Sequence, residues 1–370
     1  MHYDVVVVGS GLAAIIFAEK FANILNKKVL IIEKRDHIGG NLYDYYNSEG
    51  ILIHKYGSHI FRTDKKEIWD YLGKFTKWHY YQHRVVANIK GFEVPFPINL
   101  DTYNILTNEN LSQIEFEERL KSFKFTNNPK NAEEAVINQV GLYLYETFFK
   151  NYTIKQWGKH PKELHIDTVA RVPVRTDREN RYFFHKYQGV PKDGYTSMIK
   201  NMLNSKNISI LLNTDYKDVI ADIRYKQMIY TGSLDYFFDY KQGELEYRSL
   251  YFEERSYEKE SFQTHSVINY PNSYDYTRII EYKKLTAQKH HKTTVHYEYP
   301  EAFNKDKNEP YYPILDDRNS KLKQEYLDKV KKIENTLFIG RLAEYRYYAM
   351  DELIERCLEL FNRNFIDEQY

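Results

Sequence analysis

The chain has 370 residues and carries 53 Lys and Arg against 52 Asp and Glu, so no global field recruits nucleic acid or an anionic membrane. Any anionic ligand must therefore be held by a few placed cations, in a chain long enough for two or three domains. One cysteine, Cys357, excludes an intramolecular disulfide; no apolar run nears the ~18 residues of a membrane span, and a soluble cytoplasmic protein is expected.

Tyr3-Asp4-Val5-Val6-Val7-Val8 reads as a strand, Gly9-Ser10-Gly11-Leu12-Ala13-Ala14 as a G-x-G-x-x-A turn, and Leu12 to Leu25 as an amphipathic helix. Val29-Leu30-Ile31-Ile32 is a second strand ending on Glu33. This βαβ spacing sets a pyrophosphate on a helix N-terminus, with Glu33 placed to accept ribose hydroxyls. Lys34, Arg35 and the second glycine pair in His37-Ile38-Gly39-Gly40-Asn41 let the backbone run beside a flavin's phosphates, which favours FAD over NAD.

Ile51 to Tyr56 alternates like a short strand, then Gly57-Ser58-His59-Ile60-Phe61-Arg62-Thr63 leaves it, where a turn returning to the flavin would let His59 or Arg62 face it, and a helix follows from Glu67 to Phe75. Residues 79–98 read as two strands, and from Leu100 to Tyr152 the period becomes helical, with Ile114, Phe116, Leu120, Val136, Val140, Leu142 and Tyr143 as apolar positions. Phe148, Tyr152 and Trp157 close that insertion and suit either base stacking or packing on the sheet. Arg171, Arg175, Arg178 and Arg181 fall within eleven residues on a loop, a pattern of a solvated face or of diphosphate capture. From Leu245 to Tyr297 the period is mostly two, implying an antiparallel sheet. Arg278 stands on an otherwise apolar strand and needs an anionic partner. Thr336 to Ile339, Gly340 and Arg341 read as strand, turn and helix, with Tyr345, Tyr347 and Tyr348 on that helix, and Cys357 is a buried thiol among Leu353, Ile354, Leu358 and Leu360.

Taken together, Gly9-Ser10-Gly11-Leu12, His37 to Asn41, Lys55 to Thr63, Tyr152-Thr153-x-x-Gln156-Trp157-Gly158, Arg171 to Arg175, Tyr276 to Glu281, Glu309-Pro310-Tyr311-Tyr312-Pro313 and Gly340 to Tyr345 resemble the bacterial UDP-galactopyranose mutases across almost the whole chain. The resemblance implies an α/β fold: a Rossmann-like FAD-binding domain (1–80, 195–240, 315–370), a helical insertion (100–165) and an antiparallel sheet substrate domain (81–99, 166–194, 241–314). It also implies a cytoplasmic homodimer serving cell-surface polysaccharide biosynthesis. The reaction it implies has no net redox change but needs reduced flavin, kept reduced by NAD(P)H or another external reductant. By that resemblance flavin N5 would attack the anomeric carbon and displace the nucleoside diphosphate, the sugar's O4 would reclose the ring as a furanose, and the diphosphate would return as the bond to flavin breaks.

By the same resemblance Arg175, on a mobile loop, and Arg278 clamp the diphosphate of a nucleotide sugar, while His59 approaches the isoalloxazine. Phe148, Tyr152, Trp157, Asn269, Glu298, Tyr311, Tyr347 and Arg62 line the substrate site. Gly9, Ser10, Gly11, Leu12, Glu33, Lys34, Arg35, Gly40, Asn41, His59, Ile60 and Arg341 hold FAD, and no metal is implied. Three motifs depart from the family pattern. Ser58 and Arg62 stand in a motif expected as Gly-Ala-His-Ile-Phe-His-Thr, with Arg62 resembling the form that also accepts UDP-N-acetylgalactosamine. Ala349 replaces an expected acid that Asp351, roughly 200° further round a helix, cannot supply, which suits a 6-deoxy donor such as dTDP-fucose. Gly232-Ser233 replaces an expected Gly-Pro. An FAD-dependent oxidoreductase and a non-catalytic nucleotide-sugar sensor are the readings from other classes.

Overall fold

Four consecutive valines, Val5–Val8, form a strand without polar alternation, and such a strand must be covered on both faces. The computed structural model describes residues 2–168 and 173–366, so Arg171 lies outside the described residues. In it Val5–Val8 is the middle strand of a five-stranded parallel sheet ordered Ile208–Leu211, Val29–Ile32, Val5–Val8, Gln227–Tyr230, Thr336–Phe338.

Helix Leu12–Asn23 is not the amphipathic element that its sequence suggests, because ten of its residues are buried. Helix Met350–Phe365 covers the face that an isolated βαβ unit would show to water. Phe361 and Phe365 pack on Phe17 and Phe21, with ring centroids 4.7–6.4 Å apart. Even Glu19 is buried there, with the Tyr71 hydroxyl donating to it at 3.0 Å. Cys357 lies in the same core.

The second sheet has seven strands ordered Tyr312–Pro313, Tyr247–Tyr257, Thr293–Ala302, Arg278–Glu281, Val267–Asn269, Val85–Ile89, Phe92–Phe96. It is antiparallel, as the period of two implies, except that Val267–Asn269 runs parallel to Val85–Ile89. Between those two strands the chain leaves the sheet through the helices and returns, the long crossover that a parallel pair requires. A smaller sheet joins Phe61–Thr63, Tyr187–Pro191 and Trp78–Tyr80.

Helices Leu100–Thr107, Gln113–Ser122, Ala132–Leu144 and Asn151–Trp157, with a wide turn Tyr145–Lys150, make the insertion. Phe116, Val136 and Val140 are buried as the period predicts, but Ile114, Leu142 and Tyr143 are exposed. Gly141, at φ 79°, breaks the helical phase and turns the last two outward. The helix expected directly after Gly340 does not form either. Gly340 and Tyr345 adopt φ of 105° and 44°, residues 342–345 are turn, and the next helix starts at Met350 with Ala349 as N-cap. Tyr345, Tyr347 and Tyr348 therefore precede that helix, and Asp351 lies in its first turn.

Candidate active site

Above the carboxyl ends of the parallel strands lies a cavity of ≈ 680 Å³. Two glycine turns cross on its floor. The Gly39 amide donates to the Ser10 carbonyl at 3.0 Å, and a Cβ on Gly40 would press on Gly11 Cα at 2.9 Å. A Cβ on Gly9 would collide with the Thr231 hydroxyl, whereas Gly11 faces open space. The free amides of the first turn of Leu12–Asn23 begin at that opening, and no side chain caps them.

Glu33 is buried at the strand end and is fixed from two sides. Its Oε2 accepts from the Ser10 amide at 2.8 Å and the Ser10 hydroxyl at 2.6 Å, and Oε1 accepts from the Arg35 amide at 2.9 Å. Ser10 therefore spends its amide on the acid rather than on a ligand. Arg35 donates to Asn41 Oδ1 at 3.0 Å and to Glu309 Oε2 at 2.8 Å, and its guanidinium lies over Tyr56. Glu309 also pairs with Lys34 at 3.2 Å, so a carboxylate from the loop between second-sheet strands Thr293–Ala302 and Tyr312–Pro313 neutralises both cations. Arg341 donates to the Tyr311 carbonyl at 3.0 Å and lies over Tyr347 and Tyr312. Ile60, placed by sequence among the cofactor contacts, is buried in the second core and does not line the cavity.

His59 does line it. Its Nδ1 bonds the Gly57 carbonyl at 2.9 Å and so carries the proton, which leaves Nε2 as an acceptor. Burial, with His54 and Arg341 nearby, drives the imidazole down to about 3, so it is neutral.

Beyond His59, cross-strand register sets Arg278 opposite Glu298 on one side and Asn269 on the other. Arg278 Nε lies 3.1 Å from Glu298 Oε1, and Nη2 donates to the Tyr152 hydroxyl at 2.5 Å. Although burial opposes its charge, Glu298 and Tyr152 hold the guanidinium above its ordinary range. The anionic partner that sequence sought for Arg278 is thus supplied by the protein itself. Asn269 Oδ1 is buried with no hydrogen-bond partner, and so is Arg62 Nε, whose guanidinium sits 4.0 Å from the Phe183 ring centroid. Trp157, Tyr312 and Tyr347 form an aromatic bridge from the insertion to Arg341, with neighbouring centroids 6.2 and 6.4 Å apart. Tyr311 is buried against Tyr56 and Phe252, and Phe148 against Phe96.

The UDP-galactopyranose mutase family model matches residues 147–347, which hold Tyr152, Trp157, Asn269, Arg278, Glu298 and Arg341, and an NAD(P)-binding Rossmann-like domain matches residues 7–75, which hold the glycine turns, Glu33 and His59. The dTDP-fucopyranose mutase of Escherichia coli is 38% identical, over 97% of this chain and 98% of its own. A probable UDP-galactopyranose mutase of Klebsiella pneumoniae is 37% identical, over 96% and 93%. The chain belongs to the UDP-galactopyranose mutase family. It is therefore an isomerase. A crystal structure of reduced UDP-galactopyranose mutase shares the fold, with TM-score 0.76 at 15% identity over 98% of this chain and 95% of that one.

In this family member Arg175 is buried, donating to the carbonyls of Glu179, Arg181 and Tyr182 and stacking on Phe184. Two residues that sequence reasoning passed over stand near Arg278. Tyr182 donates its amide to the His83 carbonyl at 2.7 Å, and burial, opposed by nearby Arg278 and Arg62, raises its hydroxyl. His83 is stacked on Phe183, and burial with Arg278 and Arg62 drives it down to about 3. Nothing local marks either residue; only the return of Tyr182 beside His83 makes them neighbours. Among the described residues no cluster of His, Cys, Asp and Glu is placed to hold a metal, and no helix is long and apolar enough to cross a membrane.

Proposed function

We propose that the chain interconverts the pyranose and furanose forms of UDP-galactose or a close analogue, with FAD bound in the cavity above the glycine turns. The donor set fits that group: open amides at Gly11 and Leu12 for a pyrophosphate, Glu33 for a ribose, and Gly40, Asn41 and Arg341 beside the rest. Reduced FAD supplies the nucleophile for the anomeric carbon, so the isomerisation consumes no reducing equivalents, and an external reductant such as NAD(P)H keeps the pool reduced.

The chain's own work is orientation and charge. Arg278, held by Tyr152 and Glu298, neutralises the charge that grows on a departing nucleoside diphosphate. Neutral His59 offers only Nε2 toward the cavity, as a hydrogen-bond acceptor beside the reacting centre. Trp157 and Tyr312 offer faces for a base, and the unpaired Asn269 Oδ1 an acceptor for a substrate N–H or hydroxyl. The observation that carries the reading is this Arg278, oriented by Glu298 and Tyr152. Arg175 would join it only after exchanging its three carbonyls for a ligand.

A dTDP-linked 6-deoxy sugar such as dTDP-fucose is the second reading, favoured by Ala349, which offers no acceptor where the family expects an acid. Exposed Ile105, Ile114, Phe125, Leu142 and Tyr143 on the insertion support a homodimer. A cytoplasmic place and a supply of furanose donors to cell-surface polysaccharide complete the proposal. It is tested by incubating the FAD-loaded protein, oxidised or dithionite-reduced, with UDP-galactose, UDP-N-acetylgalactosamine and dTDP-fucose. A furanose product formed only under reduction is expected, and no product from any donor with fully reduced flavin would sink the reading.

A further inference from the structure

Three backbone carbonyls of one short segment converge on a single ammonium. Lys155 Nζ donates to the carbonyls of Tyr270, Tyr274 and Tyr276 at 2.6, 2.9 and 3.0 Å, which uses all the donors a lysine has. A lysine on a solvated helix face would keep its head in water or offer it to a carboxylate. This one is half-buried, and burial pushes it down to about 8.

The captured segment joins strand Val267–Asn269 to strand Arg278–Glu281, the hairpin that sets Asn269 opposite Arg278. Lys155 belongs to helix Asn151–Trp157, which carries Tyr152 and Trp157. The lysine therefore ties together the two elements that supply Tyr152, Asn269 and Arg278. Side-chain amides repeat the tie: Asn151 Nδ2 donates to Asn272 Oδ1 at 2.8 Å, and Asn272 Nδ2 to the Thr147 carbonyl at 2.7 Å. Inside the turn, Ser273 holds φ at 67°, a conformation that a non-glycine residue keeps only when its surroundings fix it. The helix is anchored in turn at its far end, where Arg248 donates to the carbonyls of Gln156 and Lys155 at 2.8 and 3.1 Å.

We infer that Lys155 is a positioning residue, a strap that holds the Asn269–Arg278 hairpin against the Tyr152 helix in the one arrangement that meets a nucleoside diphosphate. The inference rests on the proposed nucleotide-sugar site. It excludes a role in the chemistry, since Lys155 spends every donor on backbone.

The test is Lys155→Met in the full chain, with Lys155→Arg and the milder Asn272→Ala beside it. Hydrogen exchange of the amides of 270–277, measured without ligand, is expected to quicken at least tenfold in Lys155→Met while the parallel sheet keeps its protection. Dissociation constants for UDP and dTDP, by titration calorimetry, are expected to rise at least tenfold, with KM following and kcat changing less than threefold. Lys155→Arg should recover part of both effects and Asn272→Ala show a smaller version of them. Unchanged exchange overturns the strap, and quickened exchange with unchanged nucleotide affinity overturns its positioning role. Failure of the wild type to bind either nucleotide removes the site reading and the positioning role with it, an outcome distinct from normal wild-type binding matched by the variant.

Discussion

Acid should unfold this protein earlier than its carboxylates alone would allow, because His54 and His83 are buried, 1% and 6% exposed, as neutral imidazoles. Burial drives each down to about 3 in the folded state, with His296 adding to the effect on His54 and Arg278 and Arg62 to that on His83. His54 Nδ1 is also committed as an acceptor, taking the His59 amide at 3.2 Å. Between about 3 and the unfolded value of about 6.5 the unfolded chain binds the extra protons, so their contribution is complete above about pH 6.5 and is lost as pH falls. At about pH 5.5 each imidazole then costs on the order of 1 kcal/mol, and the pair roughly 3 kcal/mol, a large share of a typical net stability. His59, open to the cavity, is left out of that sum. Urea unfolding at about pH 7.5 and about pH 5.5, a window above most carboxylate titrations, reads the difference directly. His54→Asn keeps an acceptor for the His59 amide and cannot be protonated, so it should lower stability at neutral pH yet halve the loss on acidification. An equal loss in wild type and variant would refute the argument.

The glycine crossing makes a second prediction: Gly9→Ala, at φ 95° and against the Thr231 hydroxyl, should cost about 1–2 kcal/mol in backbone strain alone and leave the purified protein with little bound flavin, measured by absorbance. Arg278→Lys gives up the geometry that meets Glu298 and Tyr152 together and should weaken UDP or dTDP binding by about 1.5–3 kcal/mol, roughly 10–100-fold by calorimetry, with flavin content unchanged. Ala349→Asp supplies the side-chain cap that helix Met350–Phe365 lacks and should raise Tm by about 2 °C, from about 1 kcal/mol of capping. The same variant should raise the kcat/KM for UDP-galactose relative to that for dTDP-fucose, measured with both donors side by side.

What could be read from sequence was what lies close along it. Gly9, Gly11 and Glu33 announce a dinucleotide turn because a strand, a turn and an acid at fixed spacing leave few other folds, and the structure puts all three on one cavity wall. Arg278 was conspicuous as a charge in an apolar strand, but its partner was invisible: Glu298 reaches it only through antiparallel register with Thr293–Ala302. Glu309 was likewise noticed only as part of a motif, since its effect on Lys34 and Arg35 depends on two separate sheets meeting. The apolar period of the insertion misled at Leu142 and Tyr143, where one glycine resets the phase. Arg175 received its ligand role from the family resemblance alone, and the arginine-rich loop did not by itself record that the carbonyls of Glu179 and Tyr182 accept from the same guanidinium.

The packing of Phe361 and Phe365 on Phe17 and Phe21 also fixes an order of events on the ribosome. The opening strand–turn–helix unit emerges first, but its flanking strands Gln227–Tyr230 and Ile208–Leu211 and its covering helix Met350–Phe365 are made much later. At synthesis rates of about 5–20 residues per second, its greasy flank waits roughly 20–70 s for the segment that will seal it. The nucleotide-binding half therefore matures last although it is begun first, and its unsealed flank is what a holding chaperone would meet while the chain is being made.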